Sequence, residues 1–511
     1  MKNVFDIREY GASSEPGAIN TRAIQSAIDA CHAAGGGVVY CPPGTFVTGT
    51  LWLKSHVTLY LEAGCVLLGS PRRADYEENL PFPESVAFAS EKISDAHLVV
   101  AYQAEQVAIT GGGQIDGNSV AFLPFLAPDA GGSARSWEWR PGQMLFFCRC
   151  RGVRVEGVEL VNSPYWTLFF HACEQVTARG LLVFNPDDTP NGDGIDIDCC
   201  RDVTVDSCQI RSGDDSITLR GNVKPLGERP MPCENVTVTN CTLHSACNAI
   251  RVGVGSGLIR NCVFSNLVIH HSNVGINVIS RYSSASDGVE IRRVRFANVV
   301  IDAQMPLYVS AGVEGQAPVA DLAFSGITAR GTTISYIGGT QNNPVSGLTL
   351  RDVDLTVRGG ADNGRFNPEF TGCPSWTLRS QGVPCALAIA GAEEVLLQDV
   401  RIRWDELEGP WQHALFARGV RDLVLSHVDL SSPPARGEGA SAIHCLRCAE
   451  LLLRGCQAGH GTGRFLSVAE SPEEAVVRLL GNDFASAEEA FTCDAPVLEA
   501  GNLYARSARL G

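Results

Sequence analysis

The amino-acid sequence predicts an all-β fold, a single-stranded right-handed parallel β-helix that begins with one short capping helix. Three observations predict it. The chain has 53 glycines among 511 residues, its apolar residues occur in many short runs rich in valine and isoleucine, and these runs recur every roughly 20–30 residues. Because a solenoid grows by adding repeats rather than domains, we expect residues 1–511 to form a single domain.

The capping helix is predicted over residues 19–35. Ile24, Ile28 and Cys31 follow the i, i+4, i+7 spacing of one helical face, and Asn20 precedes them as a candidate N-cap. A run of glycines ends the helix. One short amphipathic helix in front of a long series of strands is expected to cover the open end of the sheet.

The remaining chain consists of similar strand pairs. Copies include VRVEGVELVNSP, VTARGLLVFNP, VTVDSCQIRSGDD and VTVTNCTLHSACN. Each copy pairs two short strands around a bend at Gly, Asn or Asp, which tolerate left-handed backbone geometry. Such strands cannot bury their inner faces alone, whereas stacked coils enclose a common core. A β-propeller or a jelly roll is the alternative, but the Asn-Gly hairpin signals that it requires are scarce.

Three longer segments interrupt the repeat, at residues 71–100, 127–142 and 358–384. In a solenoid, insertions fall on loops, often around the binding face. The second segment contains Trp137, Trp139 and Arg140, which could form a wall on which sugar rings stack. Ordinary packing within the loop is an equally weighted alternative.

Composition excludes several classes of function. The formal net charge of −16 argues against nucleic acid and anionic membranes as partners, because both select a basic face. No signal peptide is recognisable, and no apolar run reaches the roughly 18 residues of a transmembrane helix. We therefore expect a cytoplasmic protein whose 19 cysteines remain thiols. No nucleotide motif and no complete set of metal ligands is recognisable, so no cofactor and no metal are expected.

The densest cluster of acids lies in the segment NPDDTPNGDGIDIDCCRDVTVDSCQIRSGDD. Asp193 and the pair Asp214–Asp215 occupy bends of successive coils, which in a stacked β-structure lie about 4.8 Å apart. Hydrolysis of a glycosidic bond requires one carboxylic acid that protonates the leaving oxygen and a second carboxylate that activates water. Neighbouring carboxylates also perturb each other, which helps to keep one protonated. These three acids are therefore the candidate catalytic residues.

At these residues the sequence resembles glycoside hydrolase family 28, the polygalacturonases and their relatives, which have a pectin-lyase-like solenoid fold. The matching segments are, in order, ITGGGQIDG, NSPYWTLFFHAC, PNGDGIDIDCCRDV and SGDDSITL. The third is similar to the family's Asn-Thr-Asp-Gly motif, with Gly192 in place of threonine, and the fourth to its Gly-Asp-Asp motif. The family hydrolyses with inversion. The resemblance therefore implies that Asp214 is the general acid and that Asp193 and Asp215 position and activate the water.

The sequence departs from the family at two substrate-binding motifs. The segment SACNAIRVG corresponds to the family's Gly-His-Gly motif, so that Cys247 and Asn248 occur there and the histidine is absent. The segment NVGINVISR corresponds to the Arg-Ile-Lys motif, with Asn277 and Ile279 at the positions of the two cations. Loss of both cations should weaken binding of a uronic acid strongly. We therefore expect a substrate other than plain polygalacturonate.

Polar and aromatic side chains near these motifs are the candidate substrate-binding residues. They are Asn191, Arg220, Asn248, Arg251, Asn277, Arg281, Tyr282, Trp137 and Trp139. Any of the three arginines could replace the missing cations, although each could equally be a solvated surface arginine.

The sequence thus predicts an inverting glycoside hydrolase, exo-acting on short pectin-derived or related oligosaccharides, with insertions that could block one end of the cleft. A second hypothesis is a catalytically decayed β-helix that binds glycans or serves a structural role. A third is a polysaccharide lyase in which the acids bind calcium. An oligosaccharide is the expected partner, and a homo-oligomer is left open.

Overall fold

The computed structural model divides into two compact units, which are residues 1–251 with 256–259 and residues 252–255 with 260–511. The single-domain organisation remains a prediction. No helix among the placed residues is long and apolar enough to cross a membrane. The structure describes residues 4–86, 93–127, 136–281, 288–312, 317–358, 383–405, 411–434 and 439–505.

One α-helix, Thr21–Ala33, occurs in the described residues, and it is shorter than predicted at both ends. It buries Ile24, Ile28 and Cys31, as their spacing predicts, and packs on the first strands of the first unit. Asn20 occupies the N-cap position, but its side chain makes no capping bond. Short 3₁₀ helices are Ile7–Tyr10, Arg73–Asp75, Pro83–Val86, Ser119–Ala121, Pro124–Leu126 and Lys224–Leu226.

The first unit contains three parallel sheets, to which each coil adds one strand. Sheet A consists of Val4–Asp6, Gly37–Cys41, Val57–Leu61, Glu105–Gly111, Arg151–Glu156, Glu174–Arg179, Arg201–Asp206 and Cys233–Thr239. Sheet B consists of Gly44–Thr48, Cys65–Gly69, Gln114–Asp116, Glu159–Val161, Leu182–Phe184, Gln209–Ser212 and Thr242–Ser245. Sheet C consists of Leu51–Leu53, Val99–Tyr102, Leu145–Cys148, Leu168–His171, Ile195–Asp198, Ile217–Gly221 and Asn248–Gly255, of which residues 252–255 are counted with the second unit. The predicted repeat of two strands is wrong, because each coil has three.

Residues with left-handed backbone geometry separate sheet A from sheet B in successive coils. Gly157, Gly180, Ser207 and Asn240 have φ values of 74°, 60°, 57° and 56°. The amide of each of the first three donates to a carbonyl oxygen of the following coil at 2.9–3.2 Å. The predicted bends at Gly- and Asn-type residues are confirmed, because the bend itself extends the parallel ladder.

The second unit is also built from parallel strands, several of them long. They are Leu258–Ile279, Glu290–Ser310, Val319–Gly331, Ser335–Gly338, Val345–Arg358, Cys385–Asp405, His413–Ser426, Asp429–Leu430, Ser441–Leu446, Glu450–Arg454, Gln457–Ala458, Thr462–Ala469, Val476–Leu480, Asp483–Phe484, Ala487–Cys493, Val497–Ala500 and Leu503–Tyr504.

The connections from a sheet B strand to the following sheet C strand are called the B–C turns. Two of them are long insertions, residues 70–98 and 117–144, and the second begins earlier than predicted. The predicted insertion at 358–384 lies almost entirely outside the described residues. In a parallel coil, equivalent turns stack above one another, so the insertions lie on the same edge of the first unit as every other B–C turn.

Candidate active site

The site is built on the B–C turns of two neighbouring coils. One turn carries Asp193, and the next carries Asp214 and Asp215. The amide of Gly194 donates to the carbonyl oxygen of Asp215 at 2.8 Å, which continues the ladder of the adjoining sheet C strands. The three predicted acids are therefore brought together by the stacking of coils.

The Asp193 turn is tight at the position where the family motif has threonine. A β-carbon at Gly192 would lie 2.9 Å from the β-carbon of Thr189, closer than such carbons approach each other. The amide of Gly192 donates to the carbonyl oxygen of Thr189 at 3.2 Å. Asn191, just before it, has a left-handed φ of 53°. The departure Gly192 is thus explained by a turn folded against the buried Thr189.

Arg220 neutralises two buried acids. Its Nη2 donates to Asp193 Oδ2 at 3.0 Å, and its Nε donates to Asp196 Oδ1 at 2.8 Å. Its guanidinium carbon lies 4.1 Å from the ring centre of Trp166. Burial lowers the pKa of Arg220, but the neighbouring carboxylates outweigh it and raise this pKa well above its ordinary value. Since Arg220 is 5% exposed, the alternative of a solvated surface arginine is wrong for it.

Asp215 is held by two side chains of the next sheet C strand. Arg251 Nη1 donates to Asp215 Oδ2 at 3.1 Å, and Asn248 Nδ2 donates to Oδ1 at 2.6 Å. All three side chains are buried, so Arg251 is no solvated surface arginine either. Arg251 and Asn248 thus each donate a hydrogen bond that orients the carboxylate of Asp215, a predicted catalytic residue. Contact of Arg251 or Asn248 with substrate stays a prediction.

Asp196 is a buried acid that sequence reasoning missed. It lies on a sheet C strand with no side-chain exposure, and its Oδ2 has no hydrogen-bond partner among the described residues. Burial raises the pKa of Asp196 to about 7, with Asp215 and Asp198 adding to the rise and Arg220 opposing it. The available signal was the IDID pattern, whose alternation places Asp196 and Asp198 on one face beside the turn that carries Asp193.

Asp193 also has a raised pKa. Burial raises it well above the ordinary value, the charges of Asp196, Asp214 and Asp215 raise it further, and Arg220 lowers it. The Oδ1 atom of Asp193 is buried without a hydrogen-bond partner in the described part of the chain. Burial and mutual repulsion therefore favour retention of a proton by the buried acids of this cluster near neutral pH.

Asp214 is the most accessible of the three predicted acids. It is half-buried, whereas Asp193 and Asp215 are buried. Its carbonyl oxygen accepts from the hydroxyls of Ser212 and Ser245, each at 2.6 Å. The backbone of Asp214 is thus held from two coils while its side chain retains access to solvent.

Cys247 lies beside two of the acids. One donor atom each of Asp214, Asp215 and Cys247 fall within 4.8 Å of one another, the geometry of a possible metal site. Burial and the charges of the two acids raise the pKa of the Cys247 thiol well above its ordinary value. A neutral thiol and a carboxylate already paired with Arg251 fit calcium poorly, because calcium prefers a shell of oxygen ligands. The absence of a metal and of a cofactor remains a prediction.

Three other predicted substrate-binding residues make protein contacts. Asn191 Oδ1 accepts from Arg140 Nη2 at 2.8 Å. The Trp137 ring packs on the Arg140 guanidinium at 4.6 Å, and Trp139 Nε1 donates to Glu78 Oε1 at 2.7 Å. Both tryptophans are half-buried. These contacts are those of loop packing, and stacking of either ring on a sugar stays a prediction.

Asn277 and Arg281 belong to the second unit. Asn277 is fully buried, and Arg281 is half-buried. Tyr282 lies outside the described residues. Substrate contact by these three residues remains a prediction.

The first insertion covers part of the outer face of sheet C. Leu80 and Phe82 are buried in a cluster that includes Phe146 and Phe169. The rings of Phe82 and Phe146 lie 5.8 Å apart, and those of Phe146 and Phe169 stack at 5.0 Å. Phe169 is the register partner of Asp196. The apolar cover therefore extends to the strand Leu168–His171, which is adjacent to the strand that carries Asp196, and it buries the outer face of sheet C there.

The raised pKa of Asp196 gives a prediction for stability. Its pKa in the folded state is about 7 and in the unfolded chain about 3.9. Stability from protonated Asp196 is therefore fully present below about pH 4 and is lost as the pH rises through about 7. Asp196→Asn removes this titration. The difference in unfolding free energy, variant minus wild type, should rise by about 4 kcal/mol between pH 4 and 8, as measured by urea denaturation.

Asp206→Asn is the matched control for this prediction. Asp206 is a half-buried residue at the end of the strand Arg201–Asp206, and its pKa is lowered, first by a hydrogen bond from Asn240. Its stabilising effect is present above the unfolded pKa and lost as the pH falls, so it should not change between about pH 5 and 8. If Asp196→Asn and the wild type lose stability in parallel over that range, the assignment is wrong.

Comparison with protein families shows which family the chain belongs to. The family model "Glycosyl hydrolases family 28" matches residues 80–369, which is more than half of the chain and includes all four acids. The chain belongs to this family. The resemblance inferred from the motifs is thereby confirmed.

Relatives of the family-28 chain share limited identity with it. A probable polygalacturonase from Vitis vinifera is 25% identical over 288 residues, covering 53% of this chain and 55% of the relative. An exo-poly-alpha-D-galacturonosidase from Dickeya chrysanthemi is 26% identical over 325 residues, covering 55% and 52%. The chain spans about half the length of these curated relatives.

A solved structure confirms the fold class. The family 28 exopolygalacturonase of Yersinia enterocolitica superposes on the family-28 chain with a TM-score of 0.56 at 20% identity, covering 80% of this chain and 78% of that one. Such structures are right-handed parallel β-helices. The predicted all-β, right-handed parallel β-helix is therefore confirmed.

Proposed function

We propose that this chain is an inverting glycoside hydrolase that removes a neutral sugar from the end of short, pectin-derived or related oligosaccharides. The observation that carries the proposal is the buried group of Asp193, Asp196 and Asp215 with the half-buried Asp214 at its edge. In the proposed mechanism Asp214 protonates the leaving oxygen, a role supported by its being half-buried where the other three acids are buried. The buried carboxylates are suited to activate a water molecule.

The position of the nucleophilic water is suggested by two carboxylate atoms. Asp193 Oδ1 and Asp196 Oδ2 are both buried, and neither has a hydrogen-bond partner within the described ranges. A buried acceptor without a donor is unfavourable, and a water that donates to one of them would satisfy it. Loss of a proton to that carboxylate would leave the water oxygen free to attack the anomeric carbon from the face opposite the leaving group.

The charge of the cluster favours a neutral sugar. Four carboxylates, those of Asp193, Asp196, Asp214 and Asp215, lie with two guanidinium groups that are already paired with them. A uronate would therefore find both cations of the cluster already engaged by carboxyl groups of the protein. Loss of the family's two cations at Asn277 and Ile279 supports the same conclusion.

Exo action is supported by the cover that the first insertion places on sheet C. An enzyme that cleaves within a long chain needs an open surface on both sides of its acids. Here Leu80 and Phe82 bury the outer face as far as Phe169, next to Asp196. A substrate would then end near the acids rather than continue past them.

The test is incubation with a panel of aryl glycosides, neutral and uronic, and with pectic oligosaccharides. We expect release of single terminal neutral sugars with inverted anomeric configuration, observed by proton NMR immediately after mixing. Retained configuration or internal cleavage would contradict the mechanism or the mode of action. Binding without turnover would favour the decayed β-helix, and an unsaturated product absorbing in the ultraviolet would favour a lyase.

We also propose that the protein works in a reducing compartment, the cytoplasm. All 18 described cysteines are free thiols, and 17 of them are buried. Stacked thiols such as Cys173 and Cys200 in neighbouring coils bond to carbonyl oxygens rather than to each other as disulfides. Fractionation of the source cells with an antibody tests this proposal.

A further inference from the structure

A column of stacked aromatic rings and guanidinium groups runs from the second insertion to the predicted catalytic acids. Its order is Trp137, Arg140, Tyr165, Trp166 and Arg220. The guanidinium carbon of Arg140 lies 4.6 Å from the ring centre of Trp137 and 4.7 Å from that of Tyr165. Tyr165 stacks on Trp166 with ring centres 4.9 Å apart and planes inclined by 15°. The Arg220 guanidinium carbon lies 4.1 Å from the ring centre of Trp166. Each contact lies within the range of a favourable cation–π or stacking interaction.

Arg140 also joins three segments by hydrogen bonds. Its Nη1 donates to the carbonyl oxygens of Pro164 at 3.0 Å and Pro190 at 2.7 Å, and its Nη2 donates to Asn191 Oδ1 at 2.8 Å. Pro164 and Pro190 lie on the B–C turns of successive coils, and Arg140 itself belongs to the insertion before them. The side chain is fully buried. It is therefore built into the turns, not left on the surface of the insertion.

The turn that carries Asp193 needs such support. It is an irregular connection from Phe184 to Ile195, outside the ladders of regular strands. Its residue Asn191 is left-handed, and Gly192 is closely packed on Thr189. Arg140 bonds to Pro190 and Asn191, the two residues immediately before Gly192. It therefore holds the turn up to two residues before Asp193.

We propose that Arg140 is a positioning residue for Asp193 and Arg220. It holds the turn of Asp193 through Pro190 and Asn191, and it orders the ring pair on which Arg220 lies. A planar guanidinium can stack between two rings while it bonds to three acceptors. Lysine retains the charge but cannot satisfy this geometry. The second insertion is thus part of the catalytic machinery.

Arg140→Lys tests the proposal, whose kinetic readout rests on the proposed hydrolase function. We expect kcat to fall about 10- to 100-fold, because a small misplacement of a catalytic group has effects of this size, while KM stays nearly unchanged. A second readout does not need activity. Hydrogen exchange measured by mass spectrometry should increase in peptides covering residues 185–194 but not in those covering the sheet A strand Arg201–Asp206.

Arg73→Lys is the matched control. Arg73 also lies over a tryptophan, Trp139, with its guanidinium carbon 5.4 Å from the ring centre, but it is exposed and pairs with Glu78. It makes no bond to the Asp193 turn. We expect its kcat and its exchange at residues 185–194 to match the wild type.

Asn191→Gly provides a milder variant should Arg140→Lys fold poorly. Glycine accepts the left-handed geometry of this position and removes only the acceptor of Arg140. We expect kcat of Asn191→Gly to fall without a rise in KM. The double variant Asn191→Gly with Arg140→Lys should have the same kcat as Arg140→Lys alone, because both changes remove the same contact.

Two results would overturn the proposal. One is an Arg140→Lys protein with a lower melting temperature but wild-type kcat and wild-type exchange at residues 185–194. The other is an Asn191→Gly protein in which KM rises while kcat is retained, which would make Asn191 a substrate ligand instead. If the wild type hydrolyses no glycoside, the proposed function fails, and hydrogen exchange alone decides the role of Arg140.

Discussion

Replacing Asp214 with asparagine is expected to lower kcat about 10³-fold on an oligosaccharide substrate, within the range usual for loss of a general acid. The side chain of Asp214 has access to solvent, while its backbone is fixed by Ser212 and Ser245. Asparagine preserves the shape and removes the proton. The loss should be much smaller with a dinitrophenyl glycoside, because this leaving group departs without protonation. Steady-state kinetics with both substrates measure the difference.

Asp193→Asn is the informative comparison for this experiment. Asp193 is expected to activate water, a step that any leaving group requires. Its loss should therefore be similar with both substrates. Asp206→Asn changes a half-buried residue at the end of a sheet A strand, and it should retain full activity. Equal losses for Asp214→Asn on both substrates would contradict its assignment as the general acid.

Replacing Arg220 with methionine is expected to destabilise the fold by about 3–5 kcal/mol near pH 8, since it leaves two buried carboxylates without their cation. Methionine can still pack on Trp166. Arg220 bonds to Asp193 and Asp196, whose pKa values burial already raises in the wild type. Without Arg220, both values should rise further.

The loss of stability should depend on pH in one direction. Acids with raised pKa values stabilise the fold while protonated, below their unfolded pKa, and this stability disappears as the pH rises through the folded pKa. The deficit of Arg220→Met should therefore be small near pH 5 and grow toward about pH 8. Urea denaturation at both values measures it.

Arg201→Met is the control for charge removal. Arg201 is 40% exposed and pairs with Glu174 at 3.3 Å, a surface ion pair that contributes at most about 1 kcal/mol. Its effect should not change between the two pH values. A deficit for Arg220→Met that is equal at both would show that the buried acids are not held by this arginine.

The cluster has a consequence for the pH dependence of activity. Burial keeps the pKa of Asp196 at about 7, and Asp193 is shifted in the same direction. Above this range the cluster loses protons and its negative charge grows. Because the proposed mechanism needs one of these groups as a carboxylate that accepts a proton from water, we expect kcat to fall as the pH drops below about 7.

Much of the fold could be predicted from local sequence. Short apolar runs with alternating burial and a Gly or Asn at each bend specify stacked parallel coils, because side-chain alternation and left-handed turns are properties of neighbouring residues. The helix Thr21–Ala33 followed from the spacing of Ile24, Ile28 and Cys31. The third strand of each coil was missed, since sheet B strands such as Glu159–Val161 are only three residues long.

The acids themselves were also predictable. Asp193, Asp214 and Asp215 occur in motifs of a few residues, and each motif requires a turn of defined shape. Asp196 was missed because alternation indicates only that it faces outward. Whether an outward face is exposed depends on what covers it, and here Arg220 bonds to Asp196 while the insertion covers its neighbour Phe169.

The sequence by itself determined the class of fold, the family and the three acids, because each depends on residues close together in the chain. Only the tertiary structure decided how these acids are paired. Arg220 lies 24 and 27 positions from Asp196 and Asp193, and Arg251 lies 36 positions from Asp215. Such separations correspond to coils whose lengths vary with their loops, so register, and hence charge pairing, is set by stacking. The same holds for Arg140, which the loop sequence suggested as part of a sugar-stacking wall and which coil stacking places against the turn that carries Asp193.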